Sequence, residues 1–304
     1  MLEAILIGAV RGGTSMVFAT VGETVCERSG VINLGVEGSM LAGALTAYAV
    51  GIETGSPWLG ALAAVVAGLL LSMVHAFMVI RRRANQIATG LAVTFLGLGA
   101  TSLFGQGYVS QGVKAFTTHA VPGLSDLPFL GPILFDHDPL TYLSFGVAPA
   151  AWWFLYRTGL GLRIRAAGEN PEVLETMGTS SERVRWIAVA VGGGLAGLGG
   201  AQLATAFART WSEDMIAGRG FIAVALVIFA GWNPLVTVAG AYLFSGAVAF
   251  QLELQARGAE VSIFLLDAIP YIAVLAVLAG MSGRRRHAAP EALNAVFDAG
   301  TQPA

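Results

Sequence analysis

Apolar residues run along this chain in nine stretches, at about 3–21, 31–51, 57–80, 86–106, 139–157, 186–208, 215–231, 234–252 and 262–280. A membrane-crossing helix needs about 20 predominantly apolar residues, so nine crossings use about 180 and leave about 120 for loops and tails. The sixth stretch, Trp186 to Ala208, runs 23 residues without a charge. The seventh is the weakest, because Arg219 interrupts it and Gly231-Trp232-Asn233-Pro234 closes it early. The expected fold is an all-α polytopic membrane protein of about nine helices, some short or broken. One transmembrane domain covers residues 1–283, and 284–304 form a tail.

Composition sharpens this picture. Of 304 residues, 55% are apolar and 12% charged, where a soluble domain carries about 25% charge. That is too little charge to hydrate a soluble surface, and too much hydrophobicity for disorder. The net charge of −2 comes without a basic stripe, which argues against nucleic acid as a partner. The single Cys26 excludes an internal disulfide and a multi-cysteine metal site. The first apolar stretch lacks a basic leader and a small-residue cleavage site, so it reads as the first span rather than a signal peptide.

Basic residues orient the bundle. Twelve would lie on one side: Arg28, Arg81 to Arg83, Arg157, Arg163, Arg165, Arg183, Arg185 and Arg284 to Arg286. Four would lie on the other: Lys114, Arg209, Arg219 and Arg257. The positive-inside rule puts the first group in the cytoplasm, the N-terminus outside and the tail inside. Removing only the seventh span would carry Arg284 to Arg286 outside, so the rule favours keeping it. The six tryptophans fall near span ends, where an indole is half buried with its N–H wet. Two connections are long enough to be structured: an extracytoplasmic one at 107–138 and an arginine-rich cytoplasmic one at 158–185.

Three segments carry candidate chemistry. In the first, Gly22 to Met40, the second span draws Asn33 and Glu37 towards the membrane. They are four apart, on one helical face. A carboxylate there needs a partner or a water-filled path, and Gly35 and Gly38 allow a broken helix. The alternatives are that Glu37 pairs with Arg28 or caps a helix. The second, Asp214 to Phe221 followed by Gly231-Trp232-Asn233-Pro234, is a short interrupted segment in the corresponding half of the chain. Such pairs point to a transport site, the alternative being a kinked span. In the third, Asn170 caps, Pro171 starts and Gly178 ends a two-turn helix with an acidic start. It is either a docking element or an ordinary connector.

Other patterns point to structure. Gly192, Ala196 and Gly200 recur every four residues, which suits close helix packing or a subunit interface. Gln86, Thr89 and Thr94 suit pore lining or interhelical hydrogen bonds. Asp267 either pairs with an arginine or marks the start of the last span. No HExxH occurs, and Asp136-His137-Asp138 reads as a solvated loop, so no metal site is assigned. Lys114 is followed by Ala, whereas a P-loop needs Lys before Ser or Thr; this chain lacks that ATP site.

Glu27-Arg28-Ser29-Gly30-Val31-Ile32-Asn33-Leu34-Gly35-Val36-Glu37-Gly38 resembles the "ERAGVINLGLEG" signature of bacterial ABC permeases for nucleosides and simple sugars. That group lies within the wider ribose and branched-chain amino-acid permease set. Asn85-Gln86-Ile87 with Gly90-Leu91-Ala92 resembles its "NQIVSGLAIN" block, and Gly168-Glu169-Asn170-Pro171 its "GENP" loop. Ala217 to Ala223, continued to Asn233-Pro234, resembles "AGRGFIALALVIFGRWNP". Thr179 stands where the family has a branched aliphatic residue, and Thr94 near the position of its Asn.

The resemblance implies a permease subunit of an ATP-driven importer in the bacterial cytoplasmic membrane, with no cofactor and no covalent chemistry of its own. A separate ATP-binding subunit would hydrolyse ATP, a second and different permease would complete the path, and an extracytoplasmic binding protein would deliver substrate. Asn33, Glu37, Gln86, Thr94 and Phe221 would belong to the translocation path. Gly168, Glu169, Asn170, Pro171, Met177 and Gly178 would couple to the ATPase. The alternative functions are an ion-coupled secondary transporter using Glu37 or Asp267, and an intramembrane enzyme. The docking helix weighs against the first, and the missing catalytic signatures against the second.

Overall fold

A computed structural model describes residues 1–258, 262–281 and 289–298. The chain opens with α1 (Leu2–Glu27), α2 (Val36–Thr54), α3 (Pro57–Ala76) and α4 (Gln86–Gly105). The 107–138 connection holds β1 (His119–Ala120), the one-turn α5 (Leu130–Leu134) and β2 (Asp136–His137). The two strands are antiparallel, with His119 opposite His137. Then come α6 (Pro139–Arg157), α7 (Gly159–Glu169), α8 (Pro171–Thr176) and α9 (Ser181–Gln202). The last elements are α10 (Arg219–Phe229), α11 (Pro234–Ala256), α12 (Ile263–Met281) and α13 (Glu291–Asp298).

Every expected apolar stretch contains a helix, and the protein is an all-α polytopic membrane bundle. Among the described residues, five helical runs are long and apolar enough to cross a bilayer: Leu2–Glu27, Pro57–Arg81, Gln86–Tyr108, Ser181–Phe207 and Pro234–Ala256. The runs Pro57–Arg81 and Ser181–Phe207 end in single π-helical turns, at Phe77–Arg81 and Leu203–Phe207. The seventh stretch yields only α10, 11 residues. At 1.5 Å per residue that is about 16 Å, half the hydrocarbon core.

Local chemistry sets the boundaries. Asn85, Asp138, Thr158, Asn170, Ser180 and Asn233 each accept a backbone N–H at the helix start they precede, and proline opens α6, α8 and α11. The short helix expected after Asn170 is α8: Asn170 Oδ1 accepts from the Glu172 and Val173 amides, and Gly178 turns the chain at φ 71°. Within 158–185 the sequence pattern missed α7, where Gly159, Gly161, Arg163 and Arg165 alternate with Leu160, Leu162 and Ile164, a period of two rather than a helical one.

α9 is the central helix, and its glycines explain why. A methyl group at Gly200 would collide with the Met40 carbonyl oxygen, at Gly197 with that of Ala64, and at Gly192 it would lie 3.0 Å from that of Gly22. α9 therefore lies backbone to backbone against α1, α2 and α3, and the small-residue repeat serves packing within this chain. Near the C-terminus, Arg284 to Arg286 and most of the expected tail lie outside the described residues. α13 folds back on the bundle, and Leu293 is buried with Ile32, Val224, Val227 and Trp232.

Candidate functional site

The helical path breaks between α1 and α2. α1 runs further than its apolar stretch, through Gly22 to Glu27, and residues 28–35 are unwound before Gly35 starts α2. Away from water an open backbone must find every partner inside the protein. Here the partners are side chains from other helices. The Ile32 amide donates to Gln86 Oε1 at 2.7 Å, and Gln86 Nε2 donates to the Gly30 carbonyl at 3.3 Å. His75 Nε2 lies 2.9 Å from the Ile32 carbonyl. The Asn33 amide donates to Glu23 Oε1 at 2.8 Å, and Thr94 Oγ1 donates to the Leu34 carbonyl at 2.9 Å. Asn33 closes the turn itself, its Oδ1 accepting from the Gly35 amide at 3.0 Å while its Nδ2 reaches Ser72.

The break is joined to α10. Glu37 is 2% exposed; its Oε1 accepts from the Gly218 amide at 2.8 Å and its Oε2 from the Gly220 amide at 2.6 Å. Of the alternatives for Glu37, the helix cap is the one observed, on a helix 181 residues further along the chain. At the other end of α10, Arg28 Nε donates to the Trp232 carbonyl at 2.9 Å and its Nη2 to the Gly231 carbonyl at 3.2 Å. Glu27 adds an acceptor for the Trp232 indole at 2.6 Å. α10 thus has an acid at its N-terminus and a base at its C-terminus, both matched to the helix dipole. Both come from the one segment 28–37.

The cytoplasm-assigned connection reaches the same break. Gly168, at the end of α7, presses on the Arg28 carbonyl so closely that a side chain would collide with it, and Gly30, at φ 84°, lies against Gly168. Arg185 ties the two together, its Nε donating to the Ser29 carbonyl and its Nη2 to that of Ala167, both at 3.1 Å. Beyond Gly168 the chain passes Glu169 and enters α8 through Asn170 and Pro171. α8 ends in Met177, 74% exposed, and Gly178. Outside the membrane segments, Glu175 accepts from the Ser181 amide and hydroxyl, which holds its carboxyl below the usual range.

The expected path residues therefore fall into two groups. Asn33, Glu37, Gln86 and Thr94 converge on one break, while Phe221 stands partly exposed in the first turn of α10. Glu23, Glu27 and Trp232, which lay in the two candidate segments without a role, belong to the same cluster, and His75, which lay in neither, was missed. Glu23 and Glu27 lie past the end of the first apolar stretch, and a four-residue spacing between acids was the one signal available. Among the described residues Asp267 meets no arginine; its Oδ1 accepts from Gln251 Nε2. Among the described residues no group of His, Cys, Asp and Glu could hold a metal ion. His137 binds the Ile133 carbonyl and Asp138 caps α6.

Interrupted hydrophobic helices from the two halves of a chain, meeting through capped ends, define a class: membrane transport proteins. Residues 5–282 match the family model described as branched-chain amino acid transport system / permease component. The chain belongs to that family and is a permease. It is 43% identical over 255 residues to the putative glucose ABC transporter permease protein TsgC13 of Haloferax volcanii, covering 83% of this chain and 78% of that one. It is 36% identical over 287 residues to the guanosine ABC transporter permease protein NupQ of Bacillus subtilis, covering 88% and 89%. With the nucleoside ABC transporter permease protein NupC of Lactococcus lactis, identity is 32% over 300 residues, covering 93% of each. A second permease in each of these organisms matches more weakly. No solved structure matches the chain.

Proposed function

We propose that this permease forms half of the translocation path of an ATP-driven importer for nucleosides or simple sugars, in a bacterial cytoplasmic membrane. It crosses about nine times, with some helices short or broken, the N-terminus outside and residues 158–185 in the cytoplasm. A separate ATP-binding subunit receives α8, a second and different permease completes the path, and an extracytoplasmic binding protein delivers the substrate. The named substrates of the relatives support the substrate class, and the weaker second match in each organism supports a heterodimer.

The observation that carries the reading is the seat of Gly168 on Arg28 and Gly30. A push on α8 from the ATPase passes through α7 and Gly168 into the broken segment 28–37. That segment holds both ends of α10, so α10 and Phe221 move with it. Asn33, Gln86 and Thr94 keep the break rigid enough to transmit the push, and Glu37 grips the helix that is moved. ATP-driven closure thereby alternates access from one membrane face to the other.

The test begins with a mild-detergent pull-down of the tagged chain, read by mass spectrometry. Co-purification of an ATP-binding subunit and a second permease supports the reading, and a chain that comes down alone overturns it. In the purified assembly, Gly168→Val must shift the Arg28 carbonyl. The expected result is ATP hydrolysis that persists while uptake in proteoliposomes falls at least tenfold. Equal loss of both activities would count against the coupling route.

A further inference from the structure

A polar cavity of about 320 Å³ opens beside the half of α1 remote from the coupling loop. Arg11 lines it from α1, Thr118 and Asp138 from the connection before α6, and Gln202, Phe207 and Arg209 from the end of α9 and its π-helical turn. Arg11 and Arg28 are 17 residues apart on or just past one helix, so the cavity lies roughly 25 Å from the break seated on Gly168. In the orientation proposed above it faces the side from which an imported substrate arrives.

Its polar groups are prepared for a ligand. Gln202 is fully buried, and its Nε2 donates to the Arg11 carbonyl at 3.0 Å, which fixes the amide; its Oε1 meets no donor among the described residues. Arg11 gives Nη2 to the Asp136 carbonyl at 3.1 Å, and its buried Nε has no partner among the described residues. Among the described residues Arg209 spends only Nε, on the Ala206 carbonyl at 3.3 Å. A buried amide oxygen and a buried guanidinium Nε left unpaired cost stability, so a site that keeps them uses them elsewhere. π-helical turns such as Leu203–Phe207 are also frequent at functional sites.

Charge selects the ligand. Arg11, Arg209 and Asp138 line the cavity, Asp138 capping α6 and accepting from Thr141, and Asp136, outside the lining, stands 4.0 Å from Arg11. With Asp136 set against Arg11 and Asp138 against Arg209 the charges balance, which disfavours a phosphorylated or otherwise charged compound. Free donors beside a free acceptor suit hydroxyl groups, which do both. Phe207, 40% exposed, offers a flat face for the less polar side of a ring. It also lines a second cavity of about 80 Å³ that reaches Arg219.

We infer that this cavity is an entry subsite for the hydroxyl-bearing ring of an uncharged sugar or nucleoside, read by Gln202, Arg11 and Arg209 and floored by Phe207. The inference rests on the importer reading. Its test uses the whole assembly in proteoliposomes with saturating binding protein. Uptake of radiolabelled guanosine, its 2′,3′-dideoxy analogue and glucose is compared with ATP hydrolysis for the unaltered chain, Gln202→Leu and Arg209→Gln. Losing one hydrogen bond to a ring hydroxyl should lower uptake per ATP about three- to tenfold. The dideoxy analogue, which lacks the hydroxyls, should lose less, and basal ATP hydrolysis should hold. Equal losses for nucleoside and analogue, ATP hydrolysis falling in step with uptake, or no change in either variant would each overturn the inference and leave the importer reading standing. If Gln202→Leu fails to assemble, Arg209→Gln decides alone. An unaltered assembly that imports neither guanosine nor glucose with ATP removes the importer reading, and this inference with it.

Discussion

Glu37 offers the clearest way to test how the broken segment holds α10. Its two carboxylate oxygens accept from the Gly218 and Gly220 amides at 2.8 and 2.6 Å. Hydrogen bonds to a charged group contribute about 1.5–3 kcal/mol each, and the helix dipole adds about 0.3–2 kcal/mol for an acid at this end. Glu37→Ala removes both acceptors and leaves two amides without partners, at about 1–3 kcal/mol apiece. The expected loss is therefore about 3–5 kcal/mol. Glu37→Gln keeps one acceptor and turns an NH2 against the other amide, so it should fall between the two.

The assay is the midpoint of thermal unfolding of the purified assembly in detergent, followed by tryptophan fluorescence at one fixed scan rate, because an irreversible midpoint depends on rate. At about 2 °C per kcal/mol for a chain of this size, Glu37→Ala should lower the midpoint by roughly 6–10 °C and Glu37→Gln by roughly half that. Uptake should fall in the same order. Unchanged midpoints for both variants, or Gln falling below Ala, would refute the capping argument.

Three further outcomes follow from the same geometry. Gln86→Leu leaves the Ile32 amide and the Gly30 carbonyl unpaired; it should cost about 2–4 kcal/mol and make the 28–35 backbone exchange hydrogen faster by mass spectrometry. Gly200→Val drives a side chain into the Met40 carbonyl, so the α2–α9 contact must open; the yield of folded protein by size-exclusion chromatography should drop sharply, whereas Gly218→Ala, at φ 82° with open space around it, should strain only its own turn. Glu175 is held below its ordinary 4.5 by Ser181, so its bonds are intact above that pH and are lost as pH falls through the lowered value. Protection of the Ser181 amide should weaken there, and Glu175→Gln should flatten the response.

Much of this architecture was legible in the chain itself. The apolar stretches located every long helix, because a segment that crosses lipid must carry its hydrophobicity locally. Asn170, Pro171 and Gly178 bounded α8 because capping groups act within one turn of the residue that supplies them. The interrupted segments at 28–37 and 214–234 announced themselves by glycine and charge where a span should be apolar. A carboxylate at Glu37 demanded a partner for the same reason.

Which partner it takes is a different matter. Glu37 answers Gly218 and Gly220, Arg28 answers Gly231 and Trp232, and Gln86 and His75 answer Ile32. Residue spacing reports which side chains share a helical face; it carries nothing about which distant backbone groups are left open. α1 runs on through Glu23 and Glu27 because their carboxylates find the Asn33 amide and the Trp232 indole, and the indole reaches Glu27 only when α10 is in place. The seat of Gly168 on Arg28 likewise exists only once α7 folds beneath the bundle. Local composition determined that the chain crosses a membrane and where its helices break, since those follow from solvation residue by residue. Tertiary packing alone decided what closes the breaks, since a backbone hydrogen bond in lipid is satisfied by whatever the fold brings within 3 Å.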